Sequence, residues 1–364
     1  MNITIVAGAR PNFMKIAPII EAIKAKKKEG FNINYRLVHT GQHYDKNLSG
    51  TFFEELNIPL PDSNLEVKSG TQAEQTAAIM VGFEKELAQN LCDLVMVVGD
   101  VTSTMACTIV AKKANIKVAH IEAGIRSGDM KMPEEINRIV TDSLTDYFFT
   151  TSTYANENLI KLGVSKSDIY FVGNVMIDTL LKNEARLKKP SLWNDLGLSE
   201  KKYMVMTLHR PSNVDEEDQL KKLITQIVTL GKDYPIIFPV HPRTQKLLTG
   251  LNLNFDNLHY VNPLGYLEFN YLVKHALAVV TDSGGITEET TVMNVPCITL
   301  RDSTERPETC TIGTNILVGG DSNKIKNAFN TLLSGSWKQG ETPELWDGNA
   351  ANRIINHLTS IFKV

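Results

Sequence analysis

The sequence predicts an α/β protein made of two Rossmann-like, doubly wound domains with a ligand cleft between them. The first observation is length, because 364 residues exceed what one hydrophobic core usually serves. The second is that short β-rich runs alternate with helical segments of crossover length. The third is that this alternation restarts after a polar stretch, so we expect an N-terminal domain at residues 1–187 and a C-terminal domain at 188–364.

Each predicted strand is a short apolar run bounded by turn residues. The first six lie at residues 3–6, 35–39, 94–98, 117–121, 147–150 and 169–172. A linker is expected at 188–202, which is rich in charges. The second set lies at 203–207, 236–240, 258–261, 278–281, 297–299 and 315–318. A last helix is predicted at 349–362, capped by Asp347 or Asn349, and its sequence allows packing on either domain, including back on the N-terminal one.

Composition argues against several classes of partner. The 38 basic and 41 acidic residues give a formal charge of -3, so no nucleic-acid partner is predicted. No apolar stretch is long enough to span a bilayer, and the N-terminus lacks a basic leader, so we expect no membrane partner and a cytoplasmic protein. The four cysteines lie far apart, which favours reduced thiols. A homodimer is expected as the commonest oligomer.

Polar clusters follow the predicted strands at the point where each strand ends. They are Gly8-Ala-Arg10, Thr40-Gly-Gln-His43, Gly99-Asp100, His120-Ile-Glu122, Thr207-Leu-His-Arg210, His241-Pro-Arg243 and Thr281-Asp-Ser-Gly-Gly285. Turn propensity explains the glycines but not the repeated His, Arg and Glu. Because ligands bind at this edge of open parallel sheets, two such edges predict the interdomain cleft.

The strongest local signal is the segment Thr281-Asp-Ser-Gly-Gly-Ile-Thr-Glu-Glu289. Here a strand runs through Ser283, Gly284 and Gly285 directly into a helix, where bare N–H groups and the helix dipole favour a phosphate. One of the following glutamates is placed to accept hydrogen bonds from ribose hydroxyls. A tight turn before a charged helix is the alternative for the glycines alone. Arg306, after the next strand, favours a ligand.

Acidic residues of the first domain are interleaved with cations. The set is Asp100, Glu122 and Glu134 beside His120, Arg126 and Arg138. Carboxylates next to cations suit general acid–base catalysis. A plain ion pair between Glu134 and Arg138 on one helix face is the alternative.

Three further residues are candidates for the same chemistry. Arg10 and Lys15 follow the first strand and offer positive charge, although a solvated Lys15 explains the sequence equally well. His209 follows a strand and is able to bind phosphate or transfer a proton. A lone histidine in that position is otherwise structural.

Metal and cofactor signatures are missing from the sequence. The histidines show neither helical pairing nor cysteine partners, so no metal site is predicted. The first strand leads into Gly8-Ala-Arg-Pro-Asn-Phe13, not into Gly-x-Gly-x-x-Gly or a Walker A motif. Hydride transfer with NAD and phosphoryl transfer from ATP are therefore disfavoured, and no cofactor is predicted.

The ordered motifs resemble the non-hydrolysing UDP-N-acetylglucosamine 2-epimerases, two-domain enzymes of the glycosyltransferase-B fold. The motifs are Gly8-Ala-Arg-Pro-Asn-Phe-Met-Lys15, Gly41-Gln-His43, Val98-Gly-Asp100, His120-Ile-Glu-Ala-Gly124, Pro133-Glu-Glu-Ile-Asn-Arg138, Thr207-Leu-His-Arg210, Thr281-Asp-Ser-Gly-Gly-Ile-Thr-Glu-Glu289 and Thr304-Glu-Arg-Pro-Glu308. They span almost the whole chain. The resemblance implies interconversion of UDP-GlcNAc and UDP-ManNAc through 2-acetamidoglucal, without NAD, in the supply of sugars for surface polysaccharide.

The resemblance also implies roles for matching residues. The diphosphate, ribose and uracil contacts would be Ser283, Gly284, Gly285, Glu289 and Phe269 within Tyr266-Leu-Glu-Phe269, with Arg10, Arg138 and Arg306 as cationic contacts. The acid–base candidates would be Asp100, Glu122 and Glu134, with Lys15 and His209 near the sugar and leaving phosphate.

Several alternatives remain open on sequence. Relatives in the family act on UDP-diacetamido-uronates, and a hydrolysing branch releases ManNAc. A glycosyltransferase or a catalytically silent nucleotide-sugar sensor would have the same fold. Some members carry Arg after Gln-His and are activated by their own substrate at a second site. Here Gln42-His43 precedes Tyr44-Asp45, which predicts little sigmoidal response.

Overall fold

The computed structural model describes residues 1–41, 53, 55–240, 248, 250 and 253–364. Positions 42–45, where the substrate-activation motif was considered, and His241-Pro-Arg243 lie outside the described residues. The chain forms two compact units, one comprising Met1–Lys182 with Glu344–Val364 and the other Asn183–Pro343. No helix within these described ranges is both long and apolar enough to cross a membrane.

The first unit contains a seven-stranded sheet. Its strands are β1 (Asn2–Ala7), β2 (Asn34–His39), β3 (Ser63–Asn64), β4 (Leu94–Val98), β5 (Lys117–Ile121), β6 (Tyr147–Thr150) and β7 (Ile169–Phe171). Its helices are α1 (Arg10–Lys28), α2 (Gln72–Gln89), α3 (Thr102–Lys113), α4 (Pro133–Leu144), α5 (Thr153–Lys161) and α6 (Val175–Asn183). The strand order is β3-β2-β1-β4-β5-β6-β7, with every described pairing parallel.

The second unit contains a six-stranded parallel sheet. Its strands are β8 (Met204–Thr207), β9 (Ile236–Pro239), β10 (Leu258–Val261), β11 (Ala278–Thr281), β12 (Cys297–Thr299) and β13 (Asn315–Leu317). Its helices are α7 (Leu192–Asp195), α8 (Pro211–Val214), α9 (Glu217–Leu230), α10 (Tyr266–His275), α11 (Gly284–Val292), α12 (Pro307–Thr311) and α13 (Ser322–Leu333). The strand order is β10-β9-β8-β11-β12-β13. The final helix, α14 (Ala350–Phe362), belongs to the first unit.

Both sheets are doubly wound, so the predicted α/β fold class is confirmed. The strand order reverses between β1 and β4 in the first sheet and between β8 and β11 in the second. Carboxyl ends of strands at such reversals are where open α/β sheets bind ligands. The predicted polar clusters after β1, β4, β8 and β11 therefore lie at these two positions.

Strand β8 shows why its sheet is buried on both faces. Successive side chains of a strand point to opposite sides. Met204 and Met206 pack in one apolar cluster, and Val205 packs in the other. All three are fully buried, which is typical of a parallel sheet covered by helices on both faces.

The polar stretch at 188–202, expected to be a linker, packs within the second unit. It contains α7, and Trp193 from that helix lies edge-on to Tyr203 with ring centroids 5.4 Å apart. Lys188 also donates a backbone hydrogen bond to the Leu267 carbonyl at 3.4 Å. The many charged residues of this stretch suggested an exposed linker, but Trp193 within it is buried.

Helix α14 packs against α1. The N-terminal N–H groups of α14 donate to a side chain of α6. The expected capping by Asp347 or Asn349 is wrong, because the Asn349 side chain makes no capping hydrogen bond and the first N–H groups point to α6. Asp178 accepts from the Ala350 and Ala351 N–H groups at 3.1 and 2.7 Å. Burial raises the pKa of Asp178 to about 6 against the opposing effect of these bonds.

Asp178→Ala is expected to destabilise the first unit by about 1–2 kcal/mol, since it removes the acceptor for two N–H groups at a buried helix start. The midpoint of urea unfolding followed by circular dichroism measures this. Asp347→Ala is the matched control, because Asp347 is exposed and its ion pair with Arg353 is expected to contribute less than about 1 kcal/mol. Equal effects of the two substitutions would contradict the assignment of the cap.

Candidate active site

Asn12 joins the ends of β1 and β4 at the reversal point of the first sheet. Its Oδ1 accepts from the Gly8 and Ala9 N–H groups at 3.1 and 3.0 Å, and its Nδ2 donates to the Val98 carbonyl at 3.0 Å. Asn12 is buried in the first turn of α1, so it holds the loop before α1 against the end of β4. Sequence reasoning gave this residue no role.

Gly99 leaves β4 with φ +69° and lies against charged side chains. A Cβ at this position would lie 3.2 Å from the Lys15 Nζ and 3.8 Å from a Glu122 carboxylate oxygen. The left-handed backbone and this close approach both favour glycine. They also place the backbone that carries Asp100 beside Lys15 and Glu122.

Glu122 follows β5 in a strained conformation. Its φ is +71°, in the left-handed region that a non-glycine residue rarely adopts, and it is 4% exposed. Its N–H donates to the Phe149 carbonyl at 3.0 Å. The Lys15 Nζ lies 2.5 Å from its Oε2. Lys15 therefore forms a half-buried ion pair and is not the solvated lysine that was the alternative.

Asp100 and Arg138 form the second ion pair of this site. Arg138 is 3% exposed, and its Nη2 donates to the Asp100 carboxylate. Its Nη1 lies 2.9 Å from Glu135, whose carboxylate also accepts from Ser127 and Gly128. These hydrogen bonds and Arg138 outweigh the opposing effect of burial and lower the pKa of Glu135.

Glu134 takes no part in these described ion pairs, and Arg10 is described only by its backbone. Glu134 lies half-buried in the first turn of α4, whereas the adjacent Glu135 is the buried carboxylate that contacts Arg138. Arg10 is the first residue of α1, and its side chain is outside the described atoms. The sequence alternative was an ion pair between Glu134 and Arg138. In the described contacts, Arg138 pairs with Glu135 and Asp100 instead.

His209 and Asp282 form the centre of the second unit's reversal point, after β8 and β11. Asp282 is fully buried, and its Oδ1 lies 2.8 Å from the His209 Nδ1. It also accepts from the His209 and Arg210 N–H groups at 3.1 and 3.0 Å and from the Asn213 side chain at 3.1 Å. Burial opposes its ionisation, but these bonds and His209 outweigh burial and lower the pKa of Asp282. The His209 ring is 61% exposed, so its Nε2 is available to a ligand.

Helix α11 begins at Gly284 and presents its N-terminus at the same edge. Ser283, Gly284 and Gly285 are half-buried, and the Ser283 side chain does not cap the helix. The first N–H groups and the helix dipole favour an anion there. A Cβ on Gly284 would lie 2.8 Å from a Glu305 oxygen, and Glu305 is held by Arg301 at 2.5 Å.

Glu289 is buried one turn further along α11. It accepts from the Tyr266 hydroxyl at 2.9 Å and from the Asn270 amide at 3.5 Å. Burial raises the pKa of Glu289 to about 7, although these two hydrogen bonds favour its ionised form. Phe269 lies half-buried on α10 against the adjoining apolar cluster.

Arg306 is 3% exposed and lies 2.6 Å from Glu288. This ion pair joins the start of α12 to α11. Arg306 thus supports the helix that carries the anion site, and a role as direct ligand contact stays a prediction.

Sequence reasoning gave no role to Asn12, Asp142 and Asp282. The position of Asp282 after a strand and before a glycine pair was an available signal, whereas Asp142 lies inside α4 without a local one. Across the described ranges, no group of three or more His, Cys, Asp or Glu is arranged to hold a metal ion.

Comparison with known proteins agrees with this architecture. The family model described as UDP-N-acetylglucosamine 2-epimerase matches residues 24–359. The UDP-N-acetylglucosamine 2-epimerase of Methanocaldococcus jannaschii is 41% identical, with 99% of each chain covered. The UDP-2,3-diacetamido-2,3-dideoxy-D-glucuronate 2-epimerase of Pseudomonas aeruginosa is 36% identical over 99% of this chain and 100% of that protein. A crystal structure of the M. jannaschii enzyme with UDP-GlcNAc and UDP has a TM-score of 0.88, 40% identity and coverage of 99% of this chain and 100% of that chain.

Fold and site together define an α/β isomerase of nucleotide sugars with the glycosyltransferase-B type of fold. The chain belongs to the UDP-N-acetylglucosamine 2-epimerase family, the non-hydrolysing family that its motifs resemble.

Proposed function

We propose that this protein interconverts UDP-GlcNAc and UDP-ManNAc, supplying ManNAc-type sugars for surface polysaccharide. The observation that carries the proposal is the pair of carboxylates at the reversal point of the first sheet, each against its own cation. Glu122 contacts Lys15, and Asp100 contacts Arg138. Inversion at C2 needs a base that removes a proton and an acid that returns one to the other face, and two positioned carboxylates meet this need.

The proposed reaction is elimination followed by re-addition. A carboxylate takes the C2 proton, the C–H electron pair forms the C1–C2 double bond, and the C1–O bond breaks with release of UDP. UDP then attacks C1 of 2-acetamidoglucal while C2 receives a proton on the opposite face. No electrons are gained or lost, so the reaction needs no NAD.

Residues of the second unit are proposed to hold UDP as leaving group and returning nucleophile. The Ser283 N–H donates to the Thr281 hydroxyl oxygen at 3.0 Å, so the proposed diphosphate contacts are the Ser283 hydroxyl and the N–H groups of Gly284 and Gly285. At the start of α11 a diphosphate is also favoured by the helix dipole. The exposed His209 ring is suited to the developing phosphate charge. Glu289 is proposed to accept from ribose hydroxyls, with Phe269 near uracil. Arg10, Arg138 and Arg306 complete the proposed cationic set, and Glu134 is the third proposed acid–base group.

The test is incubation of the pure protein with UDP-GlcNAc in deuterium oxide, without NAD or acceptor, followed by NMR. UDP-ManNAc with deuterium at C2 is the expected product. Free ManNAc plus UDP would indicate hydrolysis. If the protein does not turn over UDP-GlcNAc but does turn over a UDP-diacetamido-uronate, its substrate is of the class named for the P. aeruginosa relative.

UDP affinity is expected to fall as pH drops below 7, by at most about tenfold per pH unit, because the proposed ribose acceptor, Glu289, has a pKa raised to about 7 by burial. Its carboxylate predominates above that pH and is lost as pH falls through it. Isothermal titration calorimetry between pH 5.5 and 8 measures the trend. Glu289→Gln is the control, since UDP's own phosphate titrates equally in both proteins. An identical pH dependence in the two would contradict the role.

Location and assembly complete the proposal. The four cysteines are free, which supports a reducing compartment such as the cytoplasm. A homodimer is supported by apolar side chains on and after α2, where Val81 is 54% and Leu91 85% exposed. Sedimentation of a monomer at micromolar concentration would contradict the dimer.

A further inference from the structure

His120 lies at the end of β5, between the two loops that carry the proposed acid–base residues. It is fully buried. Its Nδ1 is 2.7 Å from Asp142 Oδ1, and its Nε2 is 2.9 Å from the Gly99 carbonyl oxygen. Both ring nitrogens are therefore within hydrogen-bond distance of an oxygen, which fixes the ring orientation.

The partners of His120 determine which ring nitrogens carry protons. A backbone carbonyl only accepts, so Nε2 must donate to Gly99. Asp142 Oδ2 accepts from the Gly124 N–H at 3.1 Å and lies 2.7 Å from the Arg126 Nη2. Burial opposes the ionisation of Asp142, but the charges and hydrogen bonds of His120 and Arg126 outweigh it and lower its pKa. An ionised Asp142 accepts only, so Nδ1 donates as well.

We propose that His120 is a buried imidazolium that, paired with Asp142, positions the loops carrying Asp100 and Glu122. This inference rests on the proposed function in one respect, which is that Asp100 and Glu122 transfer the C2 protons. His120 touches no reacting atom and is a positioning residue. Its charge is balanced by Asp142, which is in turn shared with Arg126.

The network fixes backbone on both sides of His120. Through Nε2 it holds the carbonyl of Gly99, the residue immediately before Asp100. Through Asp142 it holds the N–H of Gly124, two residues after Glu122. Gly99 and Gly124 have φ +69° and +78°, and a Cβ on Gly124 would lie 2.4 Å from the Ala155 carbonyl oxygen. Glycine adopts these angles without strain. Glu122, with φ +71°, is the strained residue between the two loops, and a network that holds the backbone on both sides of it supports this conformation.

Charge is required for this arrangement, since a neutral imidazole has one N–H and supports only one of the two acceptors. A neutral His120 would need a protonated Asp142 to keep both contacts. The two possibilities differ in one observable, the protonation of Nδ1.

The first test is 15N NMR of the histidine-labelled wild-type protein. We expect both His120 ring nitrogens to be protonated at neutral pH. The chain has eight histidines, so the His120 signals are assigned by their loss in His120→Gln or by replacing the others in turn. An unprotonated Nδ1 at neutral pH would overturn the proposal. This measurement does not depend on which reaction the enzyme catalyses.

The second test separates positioning from binding and stability. His120→Gln, which keeps one donor but no charge, is expected to lower kcat about 100-fold while leaving the UDP dissociation constant within about twofold. Asp142→Asn should act in the same direction, and the double variant should be no slower than the slower single one. His357→Gln on the exposed face of α14 is the matched control and should retain full turnover.

Failure of the inference and failure of the function give different results. Wild-type turnover by folded His120→Gln would overturn positioning while leaving epimerisation intact. A wild-type protein inactive on UDP-GlcNAc would overturn the function, and the NMR result would still decide the charge of His120. Where His120→Gln does not fold, NMR of the wild type remains decisive.

Discussion

Asp100→Asn and Glu122→Gln are each expected to lower kcat by about 10²–10⁴-fold while changing the UDP dissociation constant less than about twofold. Both substitutions preserve size and remove the proton-transferring group. Each also weakens a cation contact, with Arg138 for Asp100 and with Lys15 for Glu122. Because both substitutions retain Arg138 and most proposed UDP contacts belong to the second unit, UDP affinity should survive these changes.

Steady-state rates measured by coupled detection of UDP-ManNAc, together with calorimetric titration of UDP, test this pair. Glu157→Gln is the matched control, because Glu157 is an exposed carboxylate on α5 of the same unit. Melting temperatures exclude a general loss of structure. Deuterium exchange at C2 without epimerisation in one variant would identify the remaining carboxylate as the base on that face. Wild-type rates in both variants would contradict the assignment of these residues.

The edge of the sheet that carries the candidate site could be predicted because parallel strands place all their carboxyl ends at one edge. Lys15 and Glu122 are far apart in sequence, yet both follow predicted strands, and they meet at 2.5 Å. Of the thirteen strands in the described part of the chain, twelve were predicted from their apolar runs. The exception is β3 at Ser63–Asn64. It contains no apolar run and is a strand only because it pairs with β2.

Partners of individual side chains could not be predicted, because they depend on helix rotation and on residues distant in sequence. Glu134 and Glu135 are adjacent, and only the rotation of α4 decides that Glu135 is the one buried against Arg138. The cap of α14 is Asp178, which is remote in sequence, while two nearer candidates face elsewhere. Asp142 likewise reaches His120 from inside a helix. Sequence patterns therefore predict where a strand begins and ends, but they do not predict the contacts of Glu135, Asp178 and Asp142.

Asp282→Asn is expected to lower kcat about 100-fold, which is a positioning effect acting through His209. The carboxylate faces donors on both oxygens: His209 through its ring and backbone, Arg210 through its backbone and Asn213 through its side chain. An amide turns one of these oxygens into a donor. If that amide group faces His209, it donates to Nδ1, so this nitrogen cannot carry a proton. The ring then loses the positive charge that suits the developing phosphate charge.

A double-mutant cycle distinguishes this effect from a general loss of structure. If Asp282 acts through His209, the variant carrying both Asp282→Asn and His209→Asn should turn over no more slowly than His209→Asn alone. Additive losses would mean that Asp282 supports the loop independently of the histidine. Asn213→Ala removes one donor to Asp282 but leaves the His209 contact, so it should lower kcat far less. 15N NMR of His209 adds the direct observation, because the amide introduced by Asp282→Asn, when it donates to Nδ1, should leave this nitrogen unprotonated, whereas loosening of the loop alone would not.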